Sequence, residues 1–353
     1  MINMNEKIKN NRVVRKLYYF TRGIAKKGKL TRSAEKTLQA FKVPLKDEQE
    51  KQTWIKEMLY MNSHYGYDFD EFILYDFKNK TVEQRLEFIA DWEHLGYACC
   101  LNNPENDTLF DDKWKTYNTF KKYYGREVLL CGDNKEEFAS FAQNHKAFIL
   151  KPLNLSCGRG IEIIRMDEIS KAPQQLFDEL VKKYGGTFIV EELIVQDEIM
   201  AKFHPASVNT VRVPTIRMDD EVVVFHPFMR IGQGGKSVDN AGAGGVICAV
   251  NVEAGTLGAA ADEHGNRFEA HPNSNEQIVG FTIPRWEEAK AFVKELAQVV
   301  PSNRYTGWDI ALTEKGWVMV EANRRGQFVW QIPEKKGTRK ELKQLLKKLK
   351  LKY

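Results

Sequence analysis

The sequence predicts an α+β fold, in which a mostly helical N-terminal domain precedes a region of short strands and helices. Over residues 49–98 the apolar side chains recur three and four positions apart, which is the period of a helix. Between residues 146 and 252 short apolar runs alternate with turns rich in small residues, a pattern typical of strands, and two of these strands are predicted over 211–217 and 221–231. A helix is predicted over 286–299. Two later apolar runs, 307–312 and 317–323, are separated by a tight turn and predict a β-hairpin.

The overall composition is that of an ordinary globular protein. At 353 residues, with 42% hydrophobic and 29% charged residues, the chain is long enough for two or three domains. It contains no run of 18 apolar residues, and its first residues lack the apolar stretch of a secretory signal. The five cysteines, which include the adjacent pair Cys99 and Cys100, show no metal-ligand spacing. These features predict a cytoplasmic protein with reduced cysteines.

Positive charge is concentrated at both ends of the chain. Residues 1–36 contain eleven Lys and Arg against two Glu, and residues 335–353 contain nine against one, whereas the whole chain is net +5. Basic ends on an acidic body indicate attraction to an anionic surface such as a membrane, and no nucleic-acid groove is expected. Solvated helix faces without any partner are the simpler interpretation. Leucines at helical spacing in the C-terminal segment predict a helix that packs on the body: Leu342, Leu345, Leu346 and Leu349.

The first hundred residues contain helical patterns but no catalytic constellation. The segment from Val13 to Phe41 predicts a basic helix and then a second helix capped near Thr31. His64 and His94 have no partners at the spacing of metal ligands, which favours structural roles. A turn-rich stretch follows, and we place a domain boundary there, after residue 104.

The C-terminal hairpin carries the most specific candidate site. Glu321 and Asn323 are two residues apart, so they share one face of a strand. A three-residue loop over 314–316, with Gly316 left-handed, would pair Asp309 with Glu321 and bring it to that face. Two carboxylates and an amide oxygen suit Mg²⁺, which fills its remaining positions with water and phosphate oxygens. A solvated polar face without a metal is the alternative interpretation.

A second group of candidates surrounds a short buried strand that ends at Lys151 and Pro152. A turn of small residues follows over 153–160, and its backbone N–H groups could fold over phosphates as a flap. The turn lacks the ending of a Walker loop and the GxGxxG fingerprint, so a simple hairpin turn is the alternative. Lys113 is at the start of a predicted helix that reaches Tyr124. An ordinary surface lysine is the alternative interpretation of Lys113.

Charged residues also occur inside apolar strands. Glu191 and Glu192 end one strand and face opposite ways if that strand is regular, so the two cannot be buried alike. Arg212 lies in another apolar strand, where an unpaired guanidinium is costly. We therefore expect Arg212 to meet a protein carboxylate or a phosphate.

Taken in chain order, these segments resemble the ATP-grasp superfamily. The resemblance rests on an ordered set of motifs: Asp112-Lys113, Phe148 to Pro152, the 153–160 turn, Val190 to Ile194, and Trp308-Asp309 with Glu321-Ala322-Asn323. A further set is similar to one branch, the sugar-transfer-associated ATP-grasp proteins: His204 to Arg212, Val238-Asp239-Asn240 and Gly244-Gly245. The resemblance covers roughly residues 105–332. It implies a fold of two α+β subdomains that clamp ATP, with a lid over 105–195 and a larger subdomain over 196–333. The basic helix, which the leucine spacing predicts, would follow over 334–353.

The resemblance also implies roles for individual residues. Arg212 and Lys151 are the catalytic candidates, because Arg212 would stabilise the transferred phosphoryl group, and Lys113 and Lys151 would contact the ATP phosphates. The flap over the phosphates would consist of Ser156, Cys157, Gly158, Arg159 and Gly160. The hinge at the adenine and ribose would consist of Glu191, Glu192, Leu193, Ile194 and Glu198. The ligands of Mg²⁺ would be Asp309, Glu321 and Asn323.

The activity that the resemblance implies is ATP- and Mg²⁺-dependent joining of a carboxylate to an amine through an acyl phosphate. The branch indicates a cell-surface polysaccharide or its sugar precursor as the substrate. A phosphotransferase is the second hypothesis, and a nucleotide-binding regulator without turnover is a third, which the lysines and metal ligands disfavour. Peptide-forming relatives often carry an arginine at the position of Gly307, so here that role would pass to Arg212, Arg324 or another residue.

Overall fold

The computed structural model describes residues 11–153, 160–235, 239, 242, 244–324, 326–351 and 353. The predicted α+β fold is confirmed, because an N-terminal helical region precedes two antiparallel sheets. Hydrophobic residues form separate clusters within the helical region, around the smaller sheet and on each face of the larger sheet. The domain boundaries after residues 104, 195 and 333 stay predictions.

The N-terminal region consists of short and medium helices around a core of their own. In order they are α1 (Arg12–Ala25), α2 (Lys27–Ala40), α3 (Glu48–Tyr65), α4 (Phe69–Leu74), α5 (Val82–Arg85) and α6 (Asp91–Leu101). The helix start predicted near Thr31 is wrong, since α2 already begins at Lys27. The Thr31 hydroxyl donates to the carbonyl of Lys27 at 3.0 Å, one turn back, so it bonds within the helix instead of capping it.

The smaller sheet has the strand order β1-β4-β2-β3 and follows two helices, α7 (Asp107–Asp111) and α8 (Lys113–Phe120). Its strands are β1 (Val128–Cys131), β2 (Ala147–Pro152), β3 (Glu162–Arg165) and β4 (Phe188–Glu192). Two helices, α9 (Lys135–Asn144) and α10 (Pro173–Tyr184), share its core, where Phe138 and Phe177 of the helices join Phe188 of β4. Leu150 pairs with Glu162, so the turn predicted to form a flap connects two neighbouring strands.

The larger sheet has the order β10-β9-β8-β7-β5-β11-β12, with β6 paired to β5. Its strands are β5 (Val211–Arg217), β6 (Val222–Val224), β7 (Phe228–Ile231), β8 (Val246–Val250), β9 (Leu257–Ala261), β10 (Arg267–Phe268), β11 (Tyr305–Thr313) and β12 (Gly316–Asn323). Two further helices belong to this part of the chain, α11 (Glu198–Ala201) and α12 (Trp286–Val299), and α12 matches the prediction. Trp308 shares a core with α8 and α12, whereas Tyr305 belongs to the core on the opposite face.

One predicted strand of this sheet is in fact two. The apolar run over 221–231 forms β6 and β7, and both pair with β5. They are separated by His226, which has a φ of +48°, and by Pro227, which has no N–H to donate to a ladder. The short strands β9 and β10 were not predicted, because their sequences lack an alternating apolar pattern.

In the C-terminal hairpin Asp309 pairs with Glu321 as predicted, but the loop that leads to this pairing differs from the predicted one. Its loop contains two residues and not the predicted three, because Thr313 pairs directly with Gly316, whose φ is +127°. A bulge between Asp309 and Ile310 then shifts the register by one position and restores the pair of Asp309 with Glu321.

The C-terminal segment returns to the N-terminal helices. It forms α13 (Gln331–Glu334) and α14 (Arg339–Lys348), so the main helix is shorter than the predicted span of 334–353. Leu342, Leu345 and Leu346 are buried, as predicted, in the core that Tyr97 of α6 also enters. Within the described ranges, no helix is both long enough and apolar enough to cross a bilayer.

Candidate functional site

The acidic corner of the larger sheet is formed by β11 and β12, and we define it as Asp309, Glu321 and Asn323. Asp309 and Glu321 are direct partners across the two strands, so they share one face of the sheet. Asn323 donates its side-chain amide to Asp309 Oδ2 at 3.3 Å. Asp309 is buried, whereas Glu321 and Asn323 are half-buried. The three predicted metal ligands therefore lie together.

Two arginines from neighbouring strands hold the Asp309 carboxylate. Arg212 of β5 is the cross-strand partner of Asp309 and donates to both carboxylate oxygens, from Nε to Oδ1 and from Nη2 to Oδ2 at 2.7 Å. Arg230 of β7 places its Nη2 2.8 Å from Oδ2. Burial disfavours the charged carboxylate, but the two guanidinium groups outweigh burial and lower the pKa of Asp309. Arg212 was predicted to pair with a carboxylate or a phosphate, and the carboxylate is that of Asp309.

Arg230 is a site residue that the sequence analysis missed. Its Nη2 also donates to Thr210 Oγ1 at 2.8 Å, and Thr210 donates from its backbone N–H to Asp239 at 2.9 Å. Burial opposes the charge of Arg230, but the carboxylates of Asp239, Asp309 and Glu321 raise its pKa. The signal that could have found it is the one that revealed Arg212, a single arginine inside an apolar strand.

Gly307 leaves the space that the Arg212 side chain occupies. A Cβ at this position would lie 2.9 Å from Arg212 Cδ, too close for a real carbon–carbon contact. Arg324, the other arginine named from the sequence, binds Asp107 and Asp111, each at 2.8 Å. Of those two arginines, the structure therefore brings only Arg212 to the acidic corner.

On the smaller sheet, Glu191 is a buried carboxylate between two cations. Lys151 Nζ lies 2.8 Å from Oε1, and Arg126 Nη2 lies 2.6 Å from Oε2. Burial favours the neutral acid, but the charges of Lys151 and Arg126 outweigh it and lower the pKa of Glu191 to about 2. Glu192 is only half-buried, so the two glutamates do differ in burial, as the alternation of the strand requires.

Arg126 connects this cation-bound glutamate to the acidic corner. Its Nη1 donates to the carbonyl of Met319 at 2.7 Å, and its Nη2 lies 3.5 Å from the carbonyl of Val320. These carbonyls immediately precede Glu321 on β12. The same guanidinium thus holds a side chain of the smaller sheet and the backbone of the larger one. Arg126 was not predicted from the sequence, because it lies between secondary-structure elements and in no recognisable motif.

Lys113 interacts electrostatically with the acidic corner and with the lysine of the smaller sheet. Its Nζ lies 3.5 Å from the carbonyl of Leu153, at the start of the predicted flap. Partial burial lowers the pKa of Lys113, the carboxylate of Glu321 opposes this effect, and the charge of Lys151 adds to it. The pKa of Lys113 therefore depends on charged residues of both sheets, Glu321 on the larger and Lys151 on the smaller.

The remaining predicted residues are only partly described. Ser156, Cys157, Gly158 and Arg159 lie outside the described residues, and Gly160 directly after them has a φ of +70°. Leu193 and Ile194 follow β4 as half-buried residues outside any strand, and the exposed Glu198 begins α11. Their roles in binding adenine, ribose and phosphate stay predictions.

Two antiparallel sheets, a lysine pair beside the smaller one and an acidic hairpin on the larger one define the class of this protein, an ATP-grasp fold. The profile of the sugar-transfer associated ATP-grasp family matches residues 96–347, most of the chain, and the protein belongs to that family. The match extends beyond the motif-based range of 105–332 at both ends, into α6 and α14.

Several solved structures are similar to this chain at low sequence identity. An ADP complex of PurK, N5-carboxyaminoimidazole ribonucleotide synthetase, has 15% identity and a TM-score of 0.40, with 63% of this chain and 46% of that one covered. D-alanyl-alanine synthetase A from Vibrio cholerae has 10% identity and a TM-score of 0.42, with 69% and 62% covered. The ATP-grasp ligase PsnB, complexed with a phosphomimetic variant of its minimal precursor, Mg and ADP, has 13% identity and a TM-score of 0.43, with 87% and 76% covered.

The chain spans about half of the PurK structure and less than two thirds of the D-alanyl-alanine synthetase. A comparison with curated protein sequences finds no match.

Proposed function

We propose that the protein binds ATP with Mg²⁺ at the acidic corner and uses it to join a carboxylate to an amine. The observation that carries the proposal is the juxtaposition at this corner of oxygen ligands with two buried arginines. Arg126 ties the corner to the smaller sheet, where Lys151 is held by Glu191. Metal ligands and phosphate-binding cations are the two groups that a bound nucleoside triphosphate requires.

The charge balance of the site supports a polyanionic ligand. The five cations are Lys113, Arg126, Lys151, Arg212 and Arg230, and the four carboxylates that pair with them or face them are Glu191, Asp239, Asp309 and Glu321. The cations outnumber the carboxylates, so a site without ligand has an excess of positive charge. Phosphate groups would neutralise this excess through charge-assisted hydrogen bonds.

The donor set of the acidic corner fits Mg²⁺. Among the residues that the structure describes, no group of three or more His, Cys, Asp and Glu could hold a metal, so a cage built from such side chains is not found there. Mg²⁺ is ordinarily bound by one or two carboxylates together with water and phosphate oxygens. Asn323 donates a hydrogen bond from its NH₂ group to Asp309, so the oxygen of its side-chain amide would be the atom that binds a metal ion. When bound, the metal would neutralise charge on the phosphates.

In the proposed reaction, an oxygen of the substrate carboxylate attacks the γ-phosphorus, and the bond from that phosphorus to the bridging oxygen of ADP breaks. The amine then attacks the acyl carbon, loses a proton and displaces inorganic phosphate. Arg212 and Arg230 would hold the phosphoryl oxygens, and positioning with charge neutralisation would supply most of the catalysis. The family description, sugar-transfer associated, supports a carboxylate on a cell-surface polysaccharide or its sugar precursor.

We expect Lys151→Met to weaken ATP binding by about 1.5 to 3 kcal/mol, the range for a hydrogen bond to a charged group. Arg126 still pairs with Glu191 in this variant, so the buried carboxylate keeps a counter-charge. Lys146→Met is the matched control, because Lys146 is an exposed lysine immediately before the first residue of the same strand. Isothermal titration calorimetry measures both affinities. Equal ATP affinity in Lys151→Met and in the unmodified protein would contradict this assignment.

Positional isotope exchange tests the reaction itself. ATP labelled with ¹⁸O in the β,γ-bridge is incubated with the protein, Mg²⁺ and one carboxylate at a time from a panel of uronic-acid sugars and amino acids, without an amine. Reversible acyl phosphate formation frees the β-phosphate of ADP to rotate, so the label should move only when the substrate carboxylate is present. An added amine should then release inorganic phosphate. A stable phosphorylated product without phosphate release would indicate a phosphotransferase and contradict the proposal.

A further inference from the structure

Helix α1 presents an apolar stripe to solvent, which we define as Val13, Leu17, Phe20 and Ile24. These side chains are 75%, 63%, 45% and 69% exposed. Their spacing of four, three and four residues places them on one side of the helix. Six of the nine exposed large apolar side chains among the described residues lie on this one helix. Such concentration marks an interaction surface, since exposed apolar residues are ordinarily scattered singly.

Close packing on α3 fixes the orientation of this stripe. Gly23 approaches Ser63 so tightly that a Cβ at position 23 would lie 2.5 Å from the Cβ of Ser63. Tyr19 is buried on the same inner side, with its ring 6.0 Å from that of Trp92. The stripe lies to one side of this packed face, and Phe20 at its edge touches α3, with its ring 5.8 Å from that of His64. The helix therefore cannot bury the stripe by rotating about its axis without losing these contacts.

The surroundings of the stripe are cationic. The sequence contains no Asp or Glu between residues 11 and 34, whereas exposed lysines occur on and just beyond α1 at Lys16, Lys26, Lys27 and Lys29. The second basic end of the chain lies beside the first, because Arg12 of α1 and Arg339 of α14 both pair with Glu93. The lysines of α1 and of the start of α2 thus accompany the apolar stripe, and the basic C-terminal helix packs near the first turn of α1.

We propose that α1 lies in the surface of an anionic lipid bilayer, with the stripe among the acyl chains and the lysines at the headgroups. A helix of 14 residues is about 21 Å long, too short to cross the roughly 30 Å hydrocarbon core, but its composition is that of a helix lying in the interface. This proposal does not depend on the proposed ligase activity.

Charge argues against the other occupants of this surface. A second copy of the chain would bring the same lysines against these, and like charges repel across an interface. A nucleic acid would satisfy the cations but would leave the four apolar side chains in water. An anionic bilayer satisfies both features at once.

The test is co-sedimentation of the full chain with vesicles of phosphatidylcholine alone and with vesicles that also contain phosphatidylglycerol. The stripe variant is Leu17→Gln, Phe20→Gln and Ile24→Gln combined, and the control is Val195→Gln with Ile199→Gln, which changes exposed apolar residues elsewhere. Thermal melting verifies that all three proteins fold. We expect the unmodified and control proteins to bind the anionic vesicles and the stripe variant to bind at least tenfold more weakly. Binding should also fall at 1 M salt, where the Debye length is about 3 Å.

Several outcomes would overturn the proposal. One is equal sedimentation of the stripe variant and the unmodified protein, whether both bind or neither does. Another is equal binding to vesicles with and without phosphatidylglycerol. A dimer in analytical ultracentrifugation that the stripe variant fails to form would assign the stripe to a second copy of the chain. Loss of binding in the control variant would remove the special role of α1.

Discussion

Replacing Glu321 by alanine is expected to lower turnover at least about 100-fold, the scale on which loss of a single stabilising group at a reacting centre is felt. Glu321 is half-buried opposite Asp309, whereas the carboxylate oxygens of Asp309 are already paired with Arg212 and Arg230. Glu321 is therefore the carboxylate of the acidic corner that is most available to Mg²⁺. ADP release at saturating Mg²⁺ measures turnover, and circular dichroism with thermal melting verifies the fold.

Glu314→Ala is the matched control for this variant. Glu314 is an exposed glutamate in the loop of the same hairpin, at the end away from the acidic corner. Its removal changes the net charge of the hairpin by the same amount but should leave turnover within about twofold, as expected for a surface substitution. Activity of Glu321→Ala at the level of Glu314→Ala would contradict a metal-binding role.

Arg212→Lys should lower turnover by about 10³-fold or more, the scale of an arginine that stabilises phosphoryl transfer. Lysine keeps the positive charge beside the buried Asp309 but lacks the planar fork that donates to both carboxylate oxygens. The buried carboxylate also keeps Arg230 at 2.8 Å, so the fold should survive. The ATP affinity is expected to change much less than kcat, because Arg212 would act mainly in the transition state.

Arg324→Lys is the control for Arg212→Lys, because it tests whether replacing any arginine near the site lowers turnover. Arg324 was a candidate for the same role from the sequence, but it binds Asp107 and Asp111 instead of Asp309. Its lysine variant should keep kcat within about tenfold, since partly exposed ion pairs contribute on the order of 1 kcal/mol. Comparable losses of kcat in the two variants would remove the distinction between these arginines.

The hairpin illustrates how much of the site the sequence predicts. Alternation and turn composition were sufficient to predict that Asp309 faces Glu321. The route was wrong, because a two-residue loop and a bulge replace the predicted three-residue loop. A bulge places one extra residue in one strand of a pair and leaves little trace in composition. The face of a strand to which each side chain points can therefore be predicted from sequence, whereas the residue-by-residue pairing of two strands cannot.

Ion-pair partners were the least predictable part of the site. The need of Arg212 for an anion followed from its apolar neighbours, but its partner Asp309 lies 97 positions later in the chain. Arg126 was not predicted because its partner Glu191 lies 65 positions later, and Arg230 was not predicted although it lies in an apolar strand as Arg212 does. Long-range pairing within a sheet decides such contacts, and a single sequence carries no direct record of that pairing.

Helix boundaries show the same limit on a local scale. The span of α12 was predicted correctly, because its buried apolar residues recur three and four positions apart. Thr31 has the composition of a helix cap but lies within α2, where its hydroxyl bonds to the preceding turn. Propensity marks a residue that can begin a helix, and packing decides whether it does.

The central claim is that the acidic corner binds ATP together with Mg²⁺, and a titration of ATP in the presence and absence of Mg²⁺ tests it most directly. Calorimetry on the unmodified protein and on Glu321→Ala requires no knowledge of the carboxylate or the amine. If the claim holds, Mg²⁺ strengthens ATP binding to the unmodified protein at least tenfold, and that gain is largely lost in Glu321→Ala. An equal gain from Mg²⁺ in both proteins, or no ATP binding by the unmodified protein, would contradict it.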